Sequence, residues 1–397
     1  MHSPFRHISD IAWKGRPIHL TFFITRRCNS NCPFCFYLRS DDGAVQTRPE
    51  LSLEEIGKVS SSLGPLLWLA FSGGEVFLRD DLVDIAGTFY RNNRPAIMLF
   101  PTNGLLPGLI RERIETIVTS CPKSVVALKL SLDGLGDAHD SLRRTPGSFE
   151  KTLQTCEAVA ELVDRYPNFE LGVNTVFCSE NQDSMDGIIE YVAGLPGVRT
   201  HTISLVRGSL EEKQYGQVDP KKYLAAVQKL EQNLKEGKSR VYRFGGGRIK
   251  AAQDIVQRRL IHWTMTERTR LLPCYAGRLN LVLEEGGDVF PCEVLRESFG
   301  NVRDHGYDMR RVVRSEKARK INAAIKNKEC YCTHECYYMT NILFNPRLYP
   351  SLLKEYLLLR SKDERHCKRE NRERPAGSSG SLYLFLHRRS QRRADMP

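Results

Sequence analysis

Short apolar runs alternate with longer helical patterns from Ile18 onward, and this alternation constrains the fold more than any other feature of the sequence. A strand, a helix and a second strand form the building unit of a parallel sheet, and continuous apolar strands are buried on both faces. The predicted strands are Ile18–Thr25, Leu66–Phe71, Ile97–Pro101, Val125–Leu132, Leu171–Phe177 and Thr200–Val206. These six units predict an α/β fold with an open, partial (β/α)6 barrel rather than a closed barrel of eight.

Helical patterns lie between and after these strands. Ser52 with Glu55 three residues later is typical of a capping box. Asp80 and Asp81 place negative charge at the start of the next helix. The predicted helices are Ser52–Leu63, Asp81–Asn92, Leu109–Ser120, Phe149–Tyr166, Met185–Ala193 and Pro220–Glu236.

The βα rhythm stops near Gly245-Gly246-Gly247, which predicts the boundary of a second, cysteine-rich module. In that module, Leu279–Leu283 and Asp288–Pro291 flank a pair of glycines, as in a hairpin. Pro346–Arg360 is predicted to form one amphipathic helix. We expect five segments: an N-terminal extension (1–15), a barrel core (16–245), the cysteine-rich module (246–345), a C-terminal helix (346–375) and a disordered basic tail (376–397).

The composition is that of a soluble globular protein, with 41% hydrophobic and 27% charged residues. No apolar run approaches the roughly 20 residues that span a bilayer, and residues 1–13 lack the apolar stretch of a secretory signal. We therefore expect a cytoplasmic protein. Much of the net charge of +12 lies after Tyr356, which predicts either a solvated tail or weak binding of the tail to an anionic surface.

The sequence holds 12 cysteines, which in a reducing compartment favour metal ligation over disulfides. Four are scattered and are expected to be inert packing residues: Cys121, Cys156, Cys178 and Cys367. The other eight fall into three groups: Cys28, Cys32 and Cys35; Cys274 and Cys292; Cys330, Cys332 and Cys336.

The first cysteine group follows directly on the first predicted strand, at the strand end where barrel enzymes carry their active sites. Asn29, Ser30 and Asn31 favour a turn rather than a helix there. Three thiolates can bind three irons of a [4Fe–4S] cluster and leave the fourth iron open to another ligand. The alternative is a zinc knuckle that a distant cysteine or histidine completes.

A Ser72-Gly73-Gly74-Glu75 run ends the second predicted strand. Two glycines let the backbone approach a ligand closely, and Glu75 offers a carboxylate that suits a cationic amine. Such a turn is ordinary by itself, but beside the cysteine loop of the preceding strand it becomes specific.

Cys28, Cys32 and Cys35, together with Gly73-Gly74-Glu75, resemble the motifs of the radical S-adenosylmethionine (SAM) superfamily over roughly Pro17–Gly208. The resemblance implies that the amino and carboxylate groups of SAM chelate the open iron. It also implies that the two glycines and the glutamate hold the amine.

Further SAM contacts are implied by the same resemblance. Phe34 matches a position near the adenine, and Arg143 matches an arginine that pairs with the SAM carboxylate. Asn103, Ser131 and Asn174 fall at the ends of later strands. The alternatives are buried polar groups satisfied by backbone for Ser131 and Asn174, and a surface charge for Arg143.

The two later cysteine groups resemble the auxiliary-cluster module called SPASM, or its shorter form, twitch. These five cysteines are fewer than a full SPASM module uses, so one auxiliary [4Fe–4S] cluster is expected. The preferred ligands are Cys274, Cys292 and Cys336, with Cys330 or Cys332 as the fourth. The alternative is a zinc site that uses a histidine of the same run.

The resemblance implies a radical oxidoreductase. A low-potential donor such as flavodoxin or ferredoxin reduces the cluster, and SAM is cleaved to methionine and a 5′-deoxyadenosyl radical that abstracts a substrate hydrogen. We expect oxidation or epimerisation of a small metabolite or sugar derivative. The alternatives are a maturase of ribosomal peptides, a nucleic-acid-modifying enzyme, and a non-catalytic zinc or iron–sulfur protein. The auxiliary cluster would conduct electrons if four thiolates hold it and bind substrate if one iron is open.

Overall fold

The computed structural model describes residues 1–38, 48–327 and 330–359, and Met1–Leu359 form one compact unit. The strands of its sheet are β1 His19–Thr25, β2 Trp68–Gly73, β3 Ile97–Thr102, β4 Val125–Ser131, β5 Phe169–Phe177, β6 Thr200–Leu205, β7 Asn280–Leu283, β8 Asp288–Phe290 and β9 Gly300–Asn301. Their order is β6-β5-β4-β3-β2-β1-β7-β8-β9. Over the described residues the sheet is therefore open, which confirms the partial barrel.

Strands β1 to β6 are parallel and each pairs with the next along the chain. All six lie where the sequence predicts them, within a few residues at each end. The parallel register brings their carboxyl ends to one edge of the sheet. There Ser131 of β4 lies beside Asn174 of β5, and Asn174 lies beside Thr202 of β6.

Helices cover the sheet between its strands, and the predicted ones are all present. Ser52 and Glu55 form the predicted capping box, in which each side chain accepts a hydrogen bond from the other residue's backbone amide, at 3.3 and 2.9 Å. The helices are α1 Ser9–Ala12, α2 Leu53–Ser62, α3 Leu82–Asn93, α4 Pro107–Ser120, α5 Asp137–Arg143, α6 Ser148–Arg165, α7 Met185–Gly194, α8 Pro220–Glu236, α9 Gly247–Glu267, α10 Met309–Val313, α11 Glu316–Lys326, α12 Glu335–Leu343 and α13 Tyr349–Leu358.

The predicted hairpin of the second module is the antiparallel pair β7 and β8. In addition, β7 pairs in parallel with β1, so that His19 lies opposite Asn280. Leu281 and Leu283 of β7 belong to the same buried core as Phe22 of β1. The cysteine-rich part of the chain therefore continues the barrel sheet, a long-range pairing that the sequence pattern did not predict.

An ion pair fixes this second part to the first. The Arg303 guanidinium donates to both carboxylate oxygens of Glu55, at 2.7 and 2.9 Å, and the Tyr307 hydroxyl donates to the same carboxylate at 2.9 Å. Arg303 lowers the pKa of Glu55 to about 2. Glu55 thus caps α2 and also binds the segment that follows β9.

Three other sequence expectations have a structural outcome. Cys121, Cys156 and Cys178 are buried, as expected for packing residues, whereas Cys367 and the basic tail lie outside the described residues. A short 3-10 helix, Pro346–Leu348, precedes α13, so the predicted helix at Pro346 begins three residues later. Among the described residues, no helix combines the length and apolar character needed to cross a membrane.

Candidate cluster and cofactor site

The cysteine loop begins directly after β1, and Cys28, Cys32 and Cys35 line one cavity of about 220 Å³ at the carboxyl edge of the sheet. All three side chains are half-buried. The backbone amide of Cys35 donates to the carbonyl of Cys32 at 3.3 Å, and the amide of Leu38 donates to the Cys35 sulfur at 3.4 Å. The loop therefore turns around the cavity, as expected for a cluster-binding loop.

Side chains from two neighbouring strand ends fix the start of this loop. Asn103, just after β3, donates from Nδ2 to Asn29 Oδ1 at 2.7 Å. Thr145, after α5, accepts from the Asn31 amide at 3.3 Å and lies 3.1 Å from the Ser30 hydroxyl. These contacts position Cys28 and Cys32 before any metal binds.

The end of the loop packs against the β7–β8 hairpin. The Tyr37 hydroxyl donates to the Glu285 carboxylate, and Phe23 and Tyr37 share a buried cluster with Val282 and Phe290. The geometry of the cysteine loop therefore depends on the second part of the chain as well as on the barrel.

The glycine pair after β2 packs against the loop rather than only against the cavity. A Cβ on Gly73 would lie 2.2 Å from the carbonyl oxygen of Thr25, and one on Gly74 would lie 2.1 Å from that of Arg27. The amides of Gly74 and Glu75 donate to these same carbonyls, each at 2.8 Å. Glycine is required here because the two chain segments touch, a reason that differs from the ligand approach inferred from sequence.

Glu75 is 1% exposed and its carboxylate accepts three hydrogen bonds. They come from Thr102 Oγ1 at 2.8 Å, from the Asn103 amide at 2.7 Å and from the Phe77 amide at 3.2 Å. Burial raises the pKa of Glu75, while these donors oppose that shift. A carboxylate offers about four acceptor positions, so one remains for an amine in the cavity.

Arg143 is buried in the wall of the same cavity, which excludes the surface-charge alternative. Its Nη1 donates to Asp133 Oδ2 at 2.6 Å, and Asp133 is fully buried. Burial acts to lower the pKa of Arg143, but the charges of Cys32 and Asp133 raise it above its ordinary value. Its buried Nε has no hydrogen-bond partner among the described residues, so the guanidinium retains a donor for an anion.

The remaining predicted contacts also face this cavity. Ser131 and Asn174 line it from neighbouring strands, and Asn174 Oδ1 accepts a hydrogen bond from Ser204 at 2.8 Å. Phe34 packs against Tyr215, with ring centroids 6.0 Å apart, and presents an apolar surface to the cavity. Every residue that the sequence assigned to the first cluster or to SAM therefore lies in one place.

The five cysteines of the second part lie in two places. A cavity of about 100 Å³ is lined by Cys274, Cys292, Cys330 and Cys332. Cys336, which the sequence analysis preferred as a ligand over Cys330 or Cys332, lines a different cavity of about 220 Å³ inside the barrel. The structure thus gathers both Cys330 and Cys332 with the first pair and separates Cys336 from them.

Burial governs the acidity of the candidate ligand thiols. It raises the pKa of Cys28 to about 11, that of Cys292 to about 12 and that of Cys332 to about 12. Metal binding removes the thiol proton outright, because the metal charge replaces it. These groups therefore suit occupied metal sites better than free thiolates.

The barrel cavity that Cys336 lines continues into the cavity of the cysteine loop. Both cavities share six lining residues: Ser72, Pro101, Ser131, Asn174, Ser204 and Arg207. Deeper in the barrel, the Lys129 ammonium donates to Thr200 and Thr202 hydroxyls at 2.7 and 3.3 Å. Burial lowers the pKa of Lys129 to about 7.

A buried charged network that sequence reasoning missed separates the two cysteine sets. His334 Nε2 lies 2.6 Å from Glu293 Oε2, and Arg207 donates to Glu293 and Glu335, each at 3.2 Å. Burial opposes it, but His334 and Arg207 lower the pKa of Glu293 to about 2. The available signal was position, because Glu293 directly follows Cys292.

A family profile described as the radical SAM superfamily matches residues 22–192, which include the cysteine loop and the glycine pair. The chain belongs to the radical SAM superfamily. A second profile, SPASM, described as an iron–sulfur cluster-binding domain, matches residues 274–337. The cofactors of this radical SAM protein are therefore SAM, a SAM-binding [4Fe–4S] cluster and an auxiliary cluster.

Two curated relatives are similar to this radical SAM protein over different lengths. The AdoMet-dependent heme synthase of Methanosarcina barkeri is 27% identical over 309 residues, which cover 75% of this chain and 82% of that protein. The subtilosin biosynthesis protein AlbA of Bacillus subtilis is 32% identical over 148 residues, which cover 36% of this chain and only 31% of AlbA.

Solved radical SAM structures share the fold. The structure of anSMEcpe with bound AdoMet has a TM-score of 0.55 at 17% identity and covers 89% of this chain and 99% of its own. Streptococcus suis SuiB bound to the precursor peptide SuiA has a TM-score of 0.54 at 11% identity, covering 80% of this chain and 70% of its own. These likenesses show the fold alone.

Proposed function

We propose that this protein is a radical SAM oxidoreductase whose catalytic [4Fe–4S] cluster is held by Cys28, Cys32 and Cys35, and that it acts on a small polar substrate bound in the barrel. One observation carries the proposal: the three cysteines and all the predicted SAM contacts line a single cavity. Chance motif matches would not converge there from four strand ends.

The residues present fit the cofactors. Three thiol groups leave one iron of a cubane open, and the orphaned Nε of buried Arg143 offers a donor for a carboxylate. When bound, the cluster and SAM supply the radical that breaks a substrate C–H bond. In this assignment Glu75 holds the SAM amine, Arg143 orients the carboxylate, and Phe34 covers the adenine and excludes water.

The barrel cavity suits a small polar substrate. Its volume is about 220 Å³, and it adjoins the SAM cavity along six shared residues. Lys129 supplies a buried cation there that could bind an anionic group of the substrate. The auxiliary set at Cys274, Cys292, Cys330 and Cys332 lies on the opposite side of the Glu293 network and suits an electron conduit.

Two other substrate classes are favoured by similarity. The match to the heme synthase spans 82% of that protein, which favours a tetrapyrrole as the second candidate. A ribosomal peptide is favoured by the partial matches to AlbA and to the sporulation killing factor maturation protein SkfB of Bacillus subtilis.

Two partner assignments complete the proposal. A low-potential electron donor such as flavodoxin or ferredoxin reduces the clusters. The basic tail binds an anionic surface, and salt would weaken that attachment because it screens charge over about 10 Å.

The experiment is anaerobic turnover of the reconstituted protein with dithionite and SAM, in the presence of each substrate class in turn. Formation of 5′-deoxyadenosine tests the radical chemistry, and its stimulation by one class identifies the substrate. Stimulation by an iron porphyrin but not by small carboxylates would replace the small-substrate assignment with the tetrapyrrole one. Stimulation by a precursor peptide alone would replace it with peptide maturation.

A further inference from the structure

Four thiols complete the auxiliary ligand set without Cys336. A [4Fe–4S] cluster takes four thiolates, and Cys274, Cys292, Cys330 and Cys332 line the same cavity. Full ligation leaves no iron open to substrate. Cys336 is a fifth thiol, and its side chain lies in the barrel cavity instead.

The surroundings of Cys336 argue against a separate metal ion. Ligand atoms of Cys336, His334 and Glu293 lie within 4.8 Å of one another. However, His334 Nε2 already pairs with Glu293, and His334 Nδ1 accepts the Cys336 backbone amide at 3.2 Å. The Arg207 guanidinium lies 3.2 Å from the same Glu293 oxygen and already supplies the positive charge that a metal would bring.

The cavity beside Cys336 is built to receive a polar molecule. Glu170, which is 4% exposed, lines it with an Oε2 that lacks a hydrogen-bond partner, and Arg207 lines it with an unpaired Nε. The Cys336 sulfur also has no hydrogen-bond partner among the described residues. Since this cavity continues into the SAM cavity, a substrate between them would present one face to SAM and another to Cys336.

We propose that Cys336 is a catalytic residue that donates a hydrogen atom to the substrate radical. The proposal rests on the proposed function and deepens it. A thiol has the weakest X–H bond among protein side chains, so it transfers hydrogen to a carbon radical readily. The substrate carbon gains the hydrogen atom and the Cys336 sulfur becomes a thiyl radical. The low-potential donor then supplies one electron, and solvent supplies one proton, to restore the thiol.

This step selects between the two outcomes left open by the sequence. Oxidation removes an electron and a proton from the substrate radical, whereas donation by Cys336 returns a hydrogen atom to it. Return from the face opposite to abstraction inverts the carbon centre. The structure therefore favours epimerisation of a small polar substrate over its net oxidation.

The first test is the iron content of the anaerobically reconstituted holoenzyme. Cys336→Ala should keep about eight irons per chain, and Cys332→Ala should keep about four, because only Cys332 belongs to a cluster. Cys121→Ala, a buried cysteine outside both cavities, is the control. Cys336→Ser preserves the side-chain size if the alanine variant folds poorly. Loss of four irons, or of an equivalent of zinc, on replacing Cys336 would overturn the inference.

The second test uses deuterium oxide, in which the Cys336 thiol carries deuterium. Turnover without substrate leaves hydrogen donors of the cavity to quench the radical, so wild-type 5′-deoxyadenosine should gain one deuterium. Cys336→Ala and Cys336→Ser should lose that deuterium, and Cys121→Ala should retain it. Unchanged deuterium in both Cys336 variants would also overturn the inference. Absence of 5′-deoxyadenosine from the wild type would instead contradict the proposed function itself.

Discussion

The Glu75 carboxylate accepts a 2.7 Å hydrogen bond from the backbone amide of Asn103, which fixes the end of β2 to the end of β3. Asn103 in turn donates from its side chain to Asn29, beside Cys28. One buried carboxylate therefore connects the glycine pair, a SAM-cavity strand and the cysteine loop. Its loss should be felt in cofactor binding before it is felt in metal binding.

Glu75→Gln tests this connection. The amide nitrogen would face donors that now point at a carboxylate oxygen, which should destabilise the fold by about 1–3 kcal/mol. We expect weaker SAM binding with both clusters retained, measured by equilibrium binding and iron analysis on the same sample. Loss of the first cluster at unchanged SAM affinity would contradict the assignment of Glu75 to the cofactor.

Gly74→Ala tests the close contact between the β2 end and the cysteine loop. The new Cβ would collide with the Arg27 carbonyl, and relief of such overpacking typically costs about 1–3 kcal/mol. The loop that carries Cys28 must shift, so iron binding at the first cluster should fall. Gly57→Ala in α2 is the matched control because no atom lies within 4 Å of its Cβ position. It should stabilise the fold by about 0.5–1 kcal/mol. Equal effects from both variants would refute the steric argument.

The barrel strands were predictable because each is a continuous apolar run between helical patterns. The pairing of His19 with Asn280 was not, since nothing local in a sequence records a partner 261 residues away. Helix α9 was missed for a related reason: its buried face carries Gln253, Asp254 and Gln257 as well as apolar residues, so it lacks a clean stripe.

The site divides in the same way. Motif spacing identified the cysteines and the glycine pair, because chemistry fixes those residue types. Spacing could not show that Cys332 and Cys336 face different cavities, since that depends on where α12 begins relative to β8. It also could not show that Arg143 is buried against Asp133, because a basic residue in a helix is more often exposed.

Arg143→Gln should reduce SAM affinity about tenfold, equivalent to about 1.4 kcal/mol, because the SAM carboxylate loses its charged partner. It should also destabilise the fold by about 3–5 kcal/mol, since Asp133 is left buried without its ion pair. Arg144→Gln is the neighbouring control: Arg144 pairs with Glu212 at the surface, and its replacement should change stability by less than about 0.5 kcal/mol. Binding titrations that show equal SAM affinity in both variants would remove Arg143 from the cofactor site.

His139 should make the fold sensitive to acid. Burial lowers its pKa from 6.5 to about 4, and its Nδ1 accepts the Asp133 amide in the neutral form. The unfolded chain binds the proton more readily, so the contribution to stability is full above pH 6.5 and is lost as pH falls through 4. The loss amounts to about 3 kcal/mol. His139→Asn, which keeps an acceptor but cannot titrate, should show a flatter dependence of the unfolding free energy on pH. An identical slope in variant and wild type would be evidence against this account.

The most direct test of the central claim compares the wild type with the variant in which Cys28, Cys32 and Cys35 are all replaced by Ala. Both proteins are reconstituted anaerobically, analysed for iron and incubated with dithionite and SAM. The wild type should bind about eight irons and form 5′-deoxyadenosine, whereas the variant should keep about four irons at the auxiliary set and form none. Stoichiometric zinc in place of iron, or 5′-deoxyadenosine formation that persists in the variant, would contradict the assignment of these three cysteines to the catalytic cluster.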